Sequence, residues 1–333
     1  MPDAILLSAR DLERALDFPL VLATLAAAFR AEHAGAWDTP RRITASTAAG
    51  GLLAMPCAGG SPVGLGAKLV TTFPANAAGL PTVSGLYALF DPETGRLQAV
   101  MDGGYLTLVR TAAVSALVTD LLAAPAAESL GILGAGAQAG FHARFIARVR
   151  PIKTVRIWAR RPEQAESLIV SLRGSAECDR VKNFEVTSSP DEAVRADVVV
   201  TATSSPTPLL RGFALREGAH VNAIGAHTRT TREMDTEAVT RASRLLVESA
   251  DTLLEAGDFQ IAQDEGGGVI ARVETLATLV AQKSPLPRDP QAISLFKSCG
   301  VAFEDLAVAA LGAARARDLG LGHSFRFDGG GVA

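Results

Sequence analysis

Along this chain the spacing of hydrophobic and polar positions changes character twice, and each change predicts a different kind of structure. Residues 8–34 place apolar side chains at helical spacing, with Ser8 as a candidate N-cap. Between about residues 42 and 100, short apolar runs alternate with turn signals, a pattern typical of an antiparallel sheet of hairpins. The runs 87–90 and 97–100 predict one such hairpin. The turn signals lie at 49–51, 59–62 and 91–95.

From about residue 111 the pattern alternates between strands and helices. The predicted helices are 111–124, 138–149, 162–172 and 303–317. The predicted strands are 129–133, 154–159, 184–187, 197–203, 220–225 and 244–248. Strands that alternate with helices form βαβ units, so this region predicts an α/β fold with a parallel, doubly wound sheet. The preceding antiparallel region predicts a second domain of the α+β type.

Composition supports a two-domain protein with an aliphatic core. The 333 residues are 48% hydrophobic but only 5% aromatic, so Ala, Val, Leu and Ile must fill the core. The net charge of −3 and the absence of a basic block give no indication of nucleic acid or membrane partners. The cysteines follow no disulfide or zinc pattern, and no signal peptide is visible at the N-terminus, so we expect a cytoplasmic protein without a metal site. The cysteines are Cys57, Cys178 and Cys299.

The segment LGILGAGAQA at 130–139 contains the dinucleotide-binding pattern G-x-G-x-x-A. Gly134 permits the tight turn, Gly136 lets the backbone approach a pyrophosphate, and Ala139 keeps helix and strand close. A predicted strand precedes the motif and a predicted helix follows it, which is the context that the motif requires. A turn that merely needs glycine is the weaker alternative. The parallel sheet is therefore predicted to be a Rossmann domain.

The end of the second predicted strand bears on the choice of dinucleotide. Readers of NAD carry a carboxylate about 20 residues after the glycine motif, whereas this chain has Arg160 and Arg161 there. Guanidinium groups suit bidentate capture of a 2′-phosphate. We therefore expect NADPH, with NADH as a possible substitute. The alternative is a solvated basic corner before a helix.

Six segments taken together resemble the ornithine cyclodeaminase/mu-crystallin family. The likeness runs from about residue 38 to about residue 315, and the RTAA segment ahead of the glycine motif is quite specific. The segments are PRR (40–42), GAKLV (66–70), PTVSG (81–85), LVRTAAVSA (108–116), GAGAQA (134–139) and HVNAIGA (220–226).

The resemblance implies a homodimer with two domains in each chain. Residues 1–112 with 304–333 would form the substrate-binding and dimerisation domain. Residues 113–303 would form the Rossmann domain. The family's reactions take place at the α-carbon of amino or imino acids, so we expect such a small molecule as the substrate.

The resemblance also assigns a substrate-binding set of cations, Arg42, Lys68 and Arg110, which would face a substrate carboxylate. Cations in a dry pocket would clamp a small imino acid well. For Arg42, a surface hairpin charge and replacement by Arg41 stay open. Lys68 lies in an apolar run and needs solvent or a functional partner. Arg110 opens the predicted helix, and because cations are disfavoured there, its position suggests a nearby anion.

A larger set would contact the dinucleotide. For Thr111 the alternative is a helix N-cap, a role that it could serve at the same time. The expected cofactor-binding residues are Thr82, Arg110, Thr111, Gly134, Gly136, Ala137, Gln138, Arg160, Arg161, Thr203 and Ser298.

At two positions the chain departs from the cyclodeaminase pattern. His227 stands where cyclodeaminases and alanine dehydrogenases of the family carry an acidic residue, and Met55 stands close to a glutamate that holds a side-chain amine. Both differences argue against a substrate with a second amino group. His227 could protonate the nitrogen of an imine, or it could only line the pocket rim. The candidate catalytic residues are therefore Lys68 and His227.

The resemblance, with these departures from the cyclodeaminase pattern, implies an NADPH-dependent ketimine reductase. The expected reaction converts Δ1-pyrroline-2-carboxylate to L-proline, with Δ1-piperideine-2-carboxylate as a further candidate substrate. The alternatives are a dehydrogenase for alanine or an N-alkyl amino acid, an ornithine cyclodeaminase, and an NADPH-dependent ligand-binding protein like mu-crystallin.

Overall fold

The structure is a computed structural model that describes residues 3–60, 63–73, 75–77, 79–282 and 289–326. Residues 61 and 62 of one predicted turn lie outside these ranges. The chain divides into two compact units. The first comprises Met1–Arg110 and Val301–Ala333, and the second comprises Thr111–Gly300.

The first unit is built around a mostly antiparallel sheet. Its strands are β1 (Ala4–Leu7), β2 (Trp37–Asp38), β3 (Ile43–Ser46), β4 (Gly51–Gly59), β5 (Leu65–Thr72), β6 (Val83–Phe90), β7 (Leu97–Asp102) and, after the second unit, β16 (His323–Phe325). Its helices are α1 (Ala9–Ala15), α2 (Phe18–His33) and α11 (Ala302–Asp318). The sheet order is β16-β1-β7-β6-β5-β4-β2, with β3 also paired to β4. The predicted hairpin is confirmed, because β6 and β7 pair antiparallel with Leu89 opposite Ala99.

The single helix predicted over residues 8–34 is wrong, because two helices occupy this region. Asp17 has an extended conformation ahead of α2, and Pro19 lies in the first turn of α2. Proline lacks an N–H, and within a continuous helix its ring would clash with the carbonyl four residues earlier, so Pro19 begins a helix rather than continuing one. The predicted N-cap is confirmed, since the Ser8 hydroxyl accepts the Asp11 N–H at 3.3 Å.

Helix α3 (Gly103–Leu122) begins eight residues before the predicted start at residue 111. The Asp102 carboxylate accepts the N–H of Tyr105 at 2.7 Å and so caps its first turn. Gly103 lies so close to β6 that a Cβ there would be 2.9 Å from the backbone of Gly85. The close packing of Gly103 against β6 thus lets the helix begin there. The sequence of two adjacent glycines does not reveal this contact.

The earlier start of α3 changes the interpretation of two candidate residues. Arg110 and Thr111 lie in the middle of the helix, so Arg110 does not open it and Thr111 is not its N-cap. The argument for an anion near Arg110 from its place at a helix N-terminus is therefore wrong. By length and composition α3 could span a membrane, but 67% of its most apolar window is buried within the protein. It has the burial of a core helix.

The second unit contains a fully parallel sheet, as predicted. Its strands are β8 (Ser129–Leu133), β9 (Thr154–Trp158), β10 (Asn183–Val186), β11 (Val198–Thr201), β12 (His220–Ala223), β13 (Arg244–Val247), β14 (Val273–Thr275) and β15 (Ser294–Lys297). Its helices, besides most of α3, are α4 (Ala137–Val149), α5 (Pro162–Arg173), α6 (Pro190–Ala193), α7 (Thr236–Arg241), α8 (Ala250–Glu255), α9 (Gly257–Asp264) and α10 (Leu276–Ala281). The sheet order is β10-β9-β8-β11-β12-β15-β13-β14.

Hydrophobic clusters cover both faces of this parallel sheet. Val199 of β11 belongs to one cluster, while Val198 and Val200 belong to the other. Successive side chains of a strand point to opposite faces, so a strand buried on both faces is a continuous apolar run. This confirms the predicted α/β class with a doubly wound sheet.

In the first unit, α11 packs on the antiparallel sheet and on α2. The ring of Phe303 on α11 meets Phe29 edge-on, with centroids 5.1 Å apart, and stacks on Trp37 at 5.8 Å. These aromatic contacts fix the N-terminal turn of α11 over the sheet. That turn carries the acidic residues described next.

Candidate active site

Lys68 lies on the inner face of the antiparallel sheet and is almost completely buried, with 2% of its surface exposed. In the register of the sheet it stands opposite Met55 on β4 and Tyr87 on β6. Both neighbours are also buried. Gly66 precedes Lys68 on the same face, and a Cβ there would be 2.7 Å from the Tyr87 hydroxyl. Glycine at that position therefore makes room for the tyrosine ring.

Two buried cations meet two buried carboxylates in the first unit. Lys68 Nζ lies 2.7 Å from Asp305 Oδ2. Arg110 Nε lies 3.2 Å from Asp305 Oδ1, and its Nη1 lies 2.8 Å from Glu304 Oε2. The four formal charges sum to zero, so the two carboxylates compensate the positive charge of Lys68 and Arg110. Within the described part of the chain, Lys68 donates to Asp305 and to no second acceptor.

Sequence reasoning missed Asp305 and Glu304. The visible signal was an acidic pair within the first turn of a helix whose neighbouring positions are apolar. Charged residues at buried positions need partners. The partners Lys68 and Arg110 are 237 and 195 residues from Asp305 in the chain, so only the fold reveals them.

Burial dominates the protonation behaviour of this cluster. Loss of solvent lowers the pKa of Lys68 to about 8, although the neighbouring Asp305 carboxylate acts in the opposite direction. Burial also raises the pKa of the Cys57 thiol to about 12 and raises the pKa of Tyr87. At neutral pH the Cys57 thiol and the Tyr87 hydroxyl are therefore uncharged. Lys68 is the charged group among these three neighbouring side chains of the sheet.

The glycine turn of the second unit has the shape that a dinucleotide requires. Gly134 has a φ of +110°, and a Cβ there would be 2.3 Å from the carbonyl oxygen of Ala202. Gly136 is the N-cap of α4, and a Cβ there would meet no atom within 4 Å. The first turn of α4 has no side-chain cap, so its N–H groups are suited to a phosphate. These residues fit a bound pyrophosphate.

Several predicted site residues follow strands of the parallel sheet on its carboxyl side. Because adjacent parallel strands end at the same edge, these residues lie along one edge. Arg160, Arg161 and His227 are exposed. The residues are Gly134, Gly136, Ala137 and Gln138 after β8, Arg160 and Arg161 after β9, Thr203 after β11, His227 after β12 and Ser298 after β15.

The remaining predicted residues lie elsewhere in the two units. Arg42 is half-buried ahead of β3, and Thr82 is exposed ahead of β6. Thr111 is buried on α3, directly after Arg110. In the first unit the structure thus brings Lys68 and Arg110 together through Asp305.

Glu233, which sequence reasoning did not place in the site, organises the ends of β11 and β12. Its buried carboxylate accepts the hydroxyl of Thr201 at 2.8 Å and both the N–H and the hydroxyl of Thr203 at 2.8 Å. It also accepts the N–H of Gly225 at 2.7 Å and that of Ala226 at 3.2 Å. The loops that carry Thr203 and His227 are therefore fixed to one side chain.

Glu248 does the same at the end of β15. Its buried carboxylate accepts the hydroxyl of Ser298 at 2.5 Å and the N–H groups of Cys299 at 2.9 Å and Gly300 at 2.8 Å. The Ser298 hydroxyl therefore donates its proton to Glu248 and keeps lone pairs for other donors. His227, by contrast, is exposed, with Nδ1 3.2 Å from the carbonyl oxygen of Gly225.

One unit has a doubly wound parallel sheet with an open glycine turn, and the other buries Lys68 and Arg110 against carboxylates. These features are those of a nicotinamide dinucleotide-dependent oxidoreductase. The comparisons with known proteins place the chain in this class. The chain belongs to the ornithine cyclodeaminase/mu-crystallin family, whose family model matches residues 3–318. The resemblance found in the sequence is confirmed.

Reductases are prominent among the relatives. A Δ1-pyrroline-2-carboxylate reductase of Paracoccus denitrificans is 39% identical over 253 residues, which are 74% of this chain and 78% of the relative. The ketimine reductase mu-crystallin of Mus musculus is 36% identical over 260 residues, or 77% and 78% of the two chains. The structure of Thermococcus litoralis Δ1-pyrroline-2-carboxylate reductase, in complex with NADH and L-proline, superposes with a TM-score of 0.90 at 31% identity and covers 96% of this chain and 100% of that one.

Proposed function

We propose that this protein is an NADPH-dependent ketimine reductase that converts Δ1-pyrroline-2-carboxylate to L-proline, with Δ1-piperideine-2-carboxylate as a second substrate. The observation that carries the proposal is the buried pair Lys68 and Arg110, joined by Asp305 on the inner face of the sheet. Relatives at 33–39% identity that are named reductases of pyrroline-2-carboxylate or of ketimines support it.

Substrate binding follows from the donors of this pair. A small imino acid offers mainly its carboxylate, and Lys68 has two ammonium hydrogens beyond the one that it gives to Asp305. Lys68 and Arg110, with Arg42 as a third cation, bind the carboxylate through charge-assisted hydrogen bonds. Because the cluster is already neutral, this binding depends on the geometry of the donors rather than on excess charge.

The dinucleotide is held by the second unit. Gly134, Gly136, Ala137 and Gln138 receive the pyrophosphate at the N-terminus of α4. When bound, a reduced nicotinamide would supply a hydride for the imine carbon, and with one proton on the nitrogen the C=N bond would become CH–NH. His227 or the protonated iminium itself supplies that proton. Other dinucleotide contacts come from Thr82, Arg110, Thr111, Thr203 and Ser298.

The neighbour of Lys68 argues against cyclodeamination. Met55 stands opposite Lys68 on the inner face and is 95% buried, since 5% of its surface is exposed. A thioether cannot hold a second substrate amine as a carboxylate would. A cyclic imine carries its nitrogen within the ring and has no second amine, so it needs no carboxylate at this position.

The test is an assay of the purified protein with freshly prepared cyclic imines. We expect NADPH to be consumed with Δ1-pyrroline-2-carboxylate and L-proline to be formed. Turnover of pyruvate with ammonia or methylamine, but not of the imine, would instead identify an open-chain dehydrogenase. Ammonia release from ornithine would identify a cyclodeaminase. Tight NADPH binding without turnover of any of these compounds would identify a ligand-binding protein.

The preference for NADPH rests on Arg160 and Arg161, both exposed after β9. If they bind the 2′-phosphate, the double change to alanine raises the KM for NADPH by roughly 10- to 100-fold and leaves the KM for NADH nearly unchanged. Arg180→Ala, at another exposed position of the same unit, serves as the control. Equal changes in the KM for NADPH and for NADH would mean that Arg160 and Arg161 do not bind the 2′-phosphate and are only solvent-exposed charges.

We also propose that the protein acts in the cytoplasm as a homodimer. The three cysteines, all within the described residues, form no disulfide, as expected in a reducing compartment. The outer face of the antiparallel sheet exposes 36–41% of each of four leucines, and such contiguous apolar faces mark interaction sites. The four are Leu52, Leu65, Leu69 and Leu86.

A further inference from the structure

Asp305 occupies a distinctive position in the buried cluster. Its Oδ2 lies 2.7 Å from Lys68 and its Oδ1 lies 3.2 Å from Arg110, so one carboxylate bridges both cations. Glu304, the residue before it, contacts Arg110 at 2.8 Å. Both carboxylates are completely buried in the first turn of α11. The two acidic residues thus share one environment but differ in their contact with Lys68.

Lys68 needs such a neighbour to remain an ammonium ion. Removal from water disfavours the charged form of a buried lysine, and an adjacent carboxylate favours it. The elements packed around Lys68 carry further groups that bear on its charge. These are Glu304 on α11, Arg110 on α3, Tyr87 on β6 and Cys57 on β4. Arg110 opposes the charge of Lys68, and the tyrosine and cysteine are uncharged, so the carboxylates of α11 must sustain it.

We propose that Asp305 is a positioning residue for the reaction, which keeps the ammonium of Lys68 charged and orients it, together with Arg110, for the substrate carboxylate. Nothing in the sequence motif around Lys68 points to this partner. The inference rests on the proposed function for the role of Lys68 in substrate binding. It does not require Asp305 to touch the substrate.

The pH dependence of catalysis follows from this role. Substrate capture needs the charged form of Lys68, so kcat/KM falls as the pH rises through the pKa of Lys68. In Asp305→Asn the ammonium loses its adjacent negative charge. The alkaline limb of the kcat/KM profile, where kcat/KM falls with rising pH, therefore moves to lower pH by about 1–3 units. Glu304→Gln is the matched control, because it removes a carboxylate of the same turn that favours the charge of Lys68 less strongly than Asp305 does. It lowers kcat/KM through Arg110 but moves the limb by less than about 0.5 unit.

A conservative variant separates charge from structure. Asp305→Glu retains the negative charge with a longer side chain, so its limb stays close to that of the wild type while kcat/KM falls. A shift in Asp305→Glu as large as that in Asp305→Asn would overturn the inference. So would equal shifts in Asp305→Asn and Glu304→Gln, or no shift in either. If Asp305→Asn does not fold, Asp305→Ser, which also removes the negative charge, takes its place in each of these comparisons.

A spectroscopic titration makes the test independent of turnover. The chain has five lysines, so the ζ-nitrogen signals of ¹⁵N-lysine-labelled protein can be assigned with a Lys68→Arg variant. We expect the Lys68 signal to titrate at lower pH in Asp305→Asn than in the wild type, without substrate present. Absence of imine turnover by the wild type would defeat the proposed function alone. An unchanged Lys68 titration in Asp305→Asn would defeat this inference alone.

Discussion

At the scale of single residues, two glycines five positions apart have different tasks. Gly131 lies inside β8, where a Cβ would be 1.9 Å from the carbonyl oxygen of Ala193. Gly136 has a φ of −81°, which alanine adopts readily, and open space where its Cβ would be. The first glycine serves the packing of the sheet, and the second serves the approach of a ligand.

This contrast predicts separable effects of alanine. Gly131→Ala lowers the free energy of unfolding by about 1–3 kcal/mol or more, because backbone atoms must move. Gly136→Ala leaves that free energy within about 0.5 kcal/mol and weakens NADPH binding roughly tenfold or more, because a methyl group occupies the pyrophosphate position. Denaturant unfolding and calorimetric titration measure the two quantities. Undiminished NADPH affinity in Gly136→Ala would contradict the proposed dinucleotide site.

His142 on α4 is a second residue with a measurable role. It is completely buried, with Nδ1 2.8 Å from the carbonyl oxygen of Gln138 and Nε2 2.9 Å from the hydroxyl of Ser115. Nδ1 must donate to the carbonyl, so Nε2 accepts from the serine and the ring is neutral. Burial lowers the pKa of His142 to about 4. The dinucleotide-binding helix is thus linked to α3 through an uncharged imidazole.

Acid should therefore destabilise the protein through His142. In the unfolded chain the ring binds a proton near the ordinary histidine pKa of 6.5, while the folded ring stays neutral to about 4, so stability is lost as the pH falls through this window. At about 1.4 kcal/mol per unit, the loss approaches roughly 3 kcal/mol. His142→Gln removes that part of the pH dependence, and His33→Gln, at an exposed position, does not. Denaturant unfolding across the window measures it, and identical slopes in wild type and His142→Gln would contradict it.

At the scale of elements, the buried carboxylates at the strand ends decide where the loops lie. Glu233 connects the ends of β11 and β12 through five hydrogen bonds. Glutamine presents an amide group to some of these donors, and each buried donor left unpaired costs about 1–3 kcal/mol. We expect Glu233→Gln to lower the free energy of unfolding by about 2–4 kcal/mol.

The same change should impair the loops more than it impairs the fold. In Glu233→Gln, the loop that carries Thr203 is no longer fixed, so the KM for NADPH rises while the protein remains folded below its new melting temperature. Glu166→Gln, exposed on α5, is the control. A variant of Glu233 with unchanged KM and unchanged stability would show that the five hydrogen bonds do not hold the loops.

At the scale of the whole molecule, the apolar outer face of the first unit predicts self-association. Leu69 pairs with Leu86 across β5 and β6, with 37% and 38% of their surfaces exposed. Leu69→Asp introduces a charge that a buried interface would leave unpaired, so it should convert a dimer to a monomer in sedimentation velocity. Val170→Asp, at a 70% exposed valine on α5, should leave the dimer intact. A wild-type monomer at micromolar concentration would contradict the homodimer.

Local patterns in the sequence were sufficient for the glycine motif, for the strands β8 to β13 and for the hairpin at β6 and β7, which depend on neighbouring residues. The short helices α6 to α10 and the strands β14 and β15 were not predicted. Errors occurred where packing overrides local preference, as at Gly103, which begins α3 against β6 eight residues before the predicted start of the helix. The break before α2 is different, because Pro19 is a visible signal in the sequence that the predicted helix over residues 8–34 left out.

By itself, then, the sequence determined the class of fold and the dinucleotide turn, because each is written in short segments whose geometry follows from local rules. The substrate-binding cations were proposed from the resemblance to a family, not from such rules. The tertiary structure alone decided what those cations contact. Asp305 meets Lys68 from 237 residues away, and Glu233 reaches two loops that the sequence shows only as polar turns. A charge is encoded at one position, but its pairing depends on which distant elements the fold brings into contact and excludes from water.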